Sequence, residues 1–113
     1  MAYLKTVPIG QRPSLSDLQT NHNYTNIAGA ATTDIKDGPG RLHKIIINGG
    51  TAGDITIYDE NSTGTTTKIG TITEEMIYLA SNYAVSVFPY DCDFKEGLRI
   101  TTEKATDITV IWT

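Results

Sequence analysis

The chain has a single cysteine, Cys92, which leaves it neither an intrachain disulfide framework nor a thiolate metal cage. No apolar run approaches the roughly 20 residues a helix needs to cross a bilayer. The opening residues, Met-Ala-Tyr-Leu-Lys, lack the basic and apolar regions of a secretory signal. A soluble chain made in a cytoplasm, with no membrane partner, is the expectation. Basic residues are few and scattered: 9 Lys and Arg stand against 13 Asp and Glu, for a net charge of −4. Without a basic cluster to displace counterions from phosphates, no nucleic-acid partner is expected. Leucine is sparse too, at 6 residues against 14 isoleucines and 18 threonines. That balance disfavours a helical bundle and favours the pleated, half-buried surfaces of sheets.

What is present is β patterning. In Leu42–Asn48, Ile45 and Ile47 alternate with Lys44, Ile46 and Asn48; in Asp54–Tyr58, Ile55 and Ile57 alternate with Thr56 and Tyr58. Gly49-Gly50 and Gly53 lie between these strands and read as a hairpin turn. Further strands are expected at Tyr24–Thr33, Lys68–Thr73, Ala84–Phe88, Gly97–Thr102 and Asp107–Trp112. Thr73–Asn82 is either an irregular crossing between sheets or a short helix, with Thr71 and Glu74 spaced as a capping box. Trp112, the one tryptophan, is expected to anchor the core. The 113 residues allow one domain, read as an all-β antiparallel sandwich of jelly-roll or immunoglobulin-like type over residues 24–113.

Residues 1–23 differ in character. Pro8 and Pro13 disfavour helix before them, and Ser14–Leu18 is long enough for one helical turn only. The segment reads as an extended N-terminal arm, either a flexible leader or an arm packed on a neighbouring subunit. Its apolar residues Tyr3, Leu4, Val7, Ile9, Leu15 and Leu18 favour packing, because a disordered leader is usually poorer in such side chains. Tyr24, at the start of the domain, joins this set. Ile46 and Ile111 lie on the face opposite the core residues of their own strands, so each asks for a neighbour outside the sandwich.

Catalytic and metal constellations are thin. His22 and His43 stand apart, with no second ligand at metal-binding spacing. Asp91-Cys92-Asp93, helped by Glu96, offers carboxylates to a calcium ion, but it lacks the loop pattern and the ligand number. The two acids flanking Cys92 argue against a reactive thiolate. Glu74-Glu75 and Asp59-Glu60 are adjacent in sequence, which points their carboxylates apart. No serine-hydrolase elbow or phosphate loop is present. The expectation is a non-enzymatic protein with no cofactor and no metal.

The run Gly38-Pro-Gly-Arg-Leu-His-Lys-Ile45, then Ile47-Asn-Gly-Gly-Thr-Ala-Gly-Asp-Ile-Thr-Ile-Tyr-Asp59, then Thr67-Lys-Ile-Gly-Thr-Ile72 resembles small β-sandwich structural proteins of tailed bacteriophage virions, of the capsid-decoration or head-fibre type. Phe94-Lys-Glu-Gly-Leu-Arg-Ile-Thr-Thr102 and Ala105-Thr-Asp-Ile-Thr-Val-Ile-Trp112 fit the same pattern. The resemblance covers about residues 38–112. It implies a virion component that self-associates, with a trimer favoured, and binds the major capsid protein or other virion proteins. A neck or tail position is an alternative. Six tyrosines keep a carbohydrate-binding module as the rival from another class, and that rival requires two or more of them beside Asp or Asn in one concavity.

Overall fold

A computed structural model describes residues 22–113 apart from 62, 63, 65 and 83–85. Among these residues eight strands follow in chain order: β1 (Asn23–Ile27), β2 (Ala31–Asp37), β3 (Gly40–Gly50), β4 (Ile55–Tyr58), β5 (Lys68–Ile72), β6 (Val87–Phe94), β7 (Gly97–Thr102) and β8 (Thr106–Trp112). One helix, α1 (Glu74–Asn82), lies between β5 and β6. The strands form two four-stranded antiparallel sheets, ordered β1-β8-β3-β6 and β2-β7-β4-β5. The pairs β1 with β8, β2 with β7, β3 with β6 and β4 with β5 are those of one long hairpin. Rolling that hairpin up adds the contacts β3 with β8 and β4 with β7. This is the jelly-roll order, which decides between the two sandwich types the sequence left open.

The alternation in the sequence matches the faces in the structure. Ile45, Ile55, Ile57, Leu98, Ile100, Ile108 and Val110 are fully buried between the sheets, together with Leu42, Ile72 and Phe94. Trp112 packs at the margin of this core, its indole N–H donating to Thr25 Oγ1 at 3.0 Å and the Lys36 ammonium 5.9 Å from its ring centre.

Several expectations are corrected. The single strand expected over Tyr24–Thr33 is two strands in different sheets, divided at Ala28-Gly29-Ala30. Gly49 and Gly50, the last residues of β3, and Gly53 beyond it make no hairpin, because β3 and β4 also belong to opposite sheets. They form a corner: Gly50 has φ +80° and a Cβ there would meet the Ala105 carbonyl, while one at Gly53 would meet Lys104. Corners strip carbonyls of ladder partners, and buried threonines supply them. Thr102 Oγ1 donates to Gly29 O at 2.6 Å and accepts from Ala31 N at 3.1 Å; Thr106 Oγ1 donates to Thr51 O.

In place of the strand expected at Ala84–Phe88, β6 begins at Val87 and runs through Pro89 to Phe94, with Ser86 outside the strand and 84–85 outside the described residues. A sheet edge tolerates both Pro89, which has no N–H, and an extra residue. The Thr73–Asn82 segment is helical, and its cap is Thr73 rather than Thr71. Thr73 Oγ1 accepts from Met76 N at 3.2 Å and Asp54 Oδ1 accepts from Glu74 N at 2.8 Å, whereas Thr71 is inside β5 opposite Thr56. The helix buries Ile77 and leaves Met76, Tyr78 and Leu79 exposed. The expected arm, including the Ser14–Leu18 turn, lies outside the described residues up to position 21.

Candidate interaction surface

The outer face of the β1-β8-β3-β6 sheet collects the side chains that alternate with the core. Strand register sets them in rows. Tyr24, Ile111, Lys44 and Pro89 lie side by side across the four strands, and Asn26, Thr109, Ile46 and Val87 form the next row. Tyr24, Ile46 and Ile111, expected from the sequence to seek a partner, therefore share one face. Tyr24 is 76% exposed and Val87 41%, while Ile46 and Ile111 are half-buried by their neighbours.

From Asn26 and Thr109 of the second row onward, the polar side chains of the face pair with one another. Asn26 Nδ2 donates to Asp107 Oδ1 at 2.7 Å and to Ile108 O at 2.9 Å. Asn48 Nδ2 donates to Thr109 Oγ1 at 2.8 Å and to Asp107 Oδ1 at 3.2 Å. Groups already paired gain little from a new partner, so the apolar end of the face is the part with adhesion to offer. Docking there removes Tyr24, Ile111, Ile46 and Val87 from water and leaves the polar end as a rim. The other expected contact residues, Tyr3, Leu4, Val7, Ile9, Leu15 and Leu18, lie outside the described residues.

Beside this face, β6 carries one more residue than β3 between paired positions: Tyr90 and Asp91 stand opposite His43 alone. Asp91 takes φ +48°, a left-handed conformation that Asp tolerates better than most side chains. His43, opposite this bulge, is half-buried. Its Nε2 is 3.0 Å from Thr113 Oγ1, its ring centre lies 4.1 Å from that of His22, and Asp91 is 4.0 Å from Nδ1. Burial pushes the His43 imidazole below its ordinary range, with His22 and Arg41 acting in the same direction and Asp91 opposing them.

The acidic pairs are committed elsewhere. Arg41 binds Asp93 Oδ1 at 2.9 Å and the Asp91 carbonyl at 2.9 Å. Cys92 turns to the interior, where burial raises its thiol and keeps it protonated. Asp59 accepts backbone N–H groups from Lys95, Glu96 and Gly97, whereas Glu60 accepts from Thr66 and Thr67. Glu74 pairs with Lys104 at 3.2 Å. Among the described residues no three His, Cys, Asp or Glu side chains gather as a metal site would require.

Four tyrosines are described, in four places. Tyr24 and Tyr58 lie on the outer faces of opposite sheets, Tyr78 on the helix, and Tyr90 inside, its ring against Gly70. Tyr3 and Tyr83 lie outside the described residues. Val87 and Pro89 are members of the surface that sequence reasoning missed. The signal was there, since Phe88, Tyr90, Cys92 and Phe94 alternate inward through β6, but Pro89 and Asp91 read as a strand end. No protein-family model and no curated protein matches the chain.

Proposed function

We propose that this chain is a non-enzymatic structural protein of a tailed-phage virion, of the capsid-decoration, cementing or head-fibre kind, that self-associates and docks on other virion proteins. The observation that carries the interaction role is the apolar end of the β1-β8-β3-β6 outer face, where Tyr24, Ile111, Ile46 and Val87 adjoin across four strands. The virion setting rests on the resemblance of residues 38–112. The mechanism is burial: binding stabilises the assembled particle by mass action, without chemistry. An interface of the usual scale, about 1,600 Å² in total, needs more than these four side chains, and the apolar residues of the arm are the natural supplement.

Ile46→Glu tests the reading. A carboxylate in the middle of the patch, on a half-buried outward position of a central strand, disfavours docking while leaving the core face of β3 unchanged. The expected result is a smaller mass by light scattering and lost co-sedimentation with heads of the phage that carries the gene, with the circular dichroism spectrum retained. Unchanged mass together with unchanged particle binding refutes the proposal.

A further inference from the structure

Among the described residues the two sheets have four edge strands, and three of them carry devices that discourage another strand from adding. In β2, Ile35 is an extra residue between positions paired with β7, and Asp34, Lys36 and Asp37 charge the strand. In β5, Ile69 is the extra residue, beside Lys68 and Gly70. In β6 the extra residue lies at Tyr90-Asp91, Pro89 has no N–H to donate, and Asp91 and Asp93 are charged.

β1 has none of these. Asn23-Tyr24-Thr25-Asn26-Ile27 pairs residue for residue with β8, without a shift, and contains no proline, glycine or charge. Among the described residues no strand pairs with its other side. A regular edge of this kind presents unpaired N–H and C=O groups at strand spacing, ready for an added strand.

We propose that the added strand is β1 of a second copy, antiparallel and centred near Thr25. The two four-stranded sheets then run on as one sheet across a two-fold axis. Composition favours this occupant. A two-fold axis sets like charges against each other, as the charged edges β2, β5 and β6 would find; an uncharged β1 avoids that repulsion. Centring on Thr25 places Asn23 opposite Ile27 of the partner subunit and Tyr24 opposite Asn26 of the partner subunit, so all five residues pair. Tyr24 also lies at the corner of the apolar face, making edge and face continuous. The pairing rests on the self-association proposed above, but it names a different surface and a different closed unit, a dimer.

Solution mass and amide hydrogen exchange on the full chain test the pairing together. The expected result is a dimer in which alternate amides of β1, those pointing away from β8, exchange about tenfold or more slowly as concentration rises. Tyr24→Lys, an exposed substitution that leaves the core untouched, is expected to return the protein to a monomer and restore fast exchange. A trimer, or a dimer whose outward β1 amides stay fast, overturns the edge pairing and leaves the virion reading standing. Protection of those amides in a monomer overturns it by showing that the edge is covered within one chain. A monomer at every concentration, or a Tyr24→Lys protein of unchanged mass, overturns it as well; binding of the unsubstituted chain to heads separates this failure from that of the virion reading.

Discussion

Asp59 joins the loop after β4 to the turn between β6 and β7, and removing its charge is expected to loosen that end of the sandwich. Its Oδ1 accepts from Lys95 N at 3.0 Å, Glu96 N at 2.8 Å and Gly97 N at 3.3 Å. Gly97 is itself pressed against the carbonyls of Glu60 and Lys36, so the turn has little room to re-form elsewhere. Partial burial alone would raise the Asp59 carboxyl, but the three backbone amides and the nearby Lys95 outweigh it and hold the group below its ordinary value of 3.8. Hydrogen bonds to a charged group are worth about 1.5–3 kcal/mol where buried, and Asp59 is only half-buried, so about 1 kcal/mol is expected for Asp59→Asn. In a domain of this size that is about 4–8 °C in Tm. Because the folded form holds the proton less tightly than the unfolded chain, the stabilisation is fully present above the ordinary carboxylate range. It is lost as pH falls from about 4 through the folded pKa. Melting of both proteins across pH 3–7 should therefore show a constant gap from about pH 5 upward that narrows below about pH 4. Equal stability at pH 7, or a gap that persists undiminished at the acid end, refutes this account.

Two further outcomes follow from packing. Thr73→Ala removes the hydroxyl that accepts from Met76 N and is expected to cost about 1 kcal/mol, read by urea unfolding, with Asp54 retaining its bond to Glu74 N. Gly70→Val places a branched side chain where a Cβ already comes within 3.1 Å of the Tyr90 ring. Overpacking of about 1–3 kcal/mol is expected in thermal melts, and Tyr90→Ala in the same chain should recover part of it.

Much of the architecture was legible before any coordinates. Alternation in β3, β4 and β8 separated core from outward side chains because a strand's period of two is a local property. Ile46 and Ile111 were marked as outward apolar residues by the same rule. The failures in strand layout share one cause. Whether the chain turns back beside itself or crosses to the other sheet depends on partners far away in sequence, so Gly49-Gly50 read as a hairpin when they form a corner, and Tyr24–Thr33 read as one strand. Pro89 and Asp91 looked like breakers because their tolerance depends on β6 being an edge, which is also a non-local fact.

The sequence by itself determined the β class and the core faces, since composition and periodicity act residue by residue. Only the tertiary structure decided the jelly-roll order, the meeting of Tyr24, Ile111 and Ile46 on one face, and, among the described residues, the regular uncharged edge at β1. Strand pairing is a contact between distant segments, and its register, bulges and neighbours are set by the closing of the whole sandwich rather than by any stretch within it.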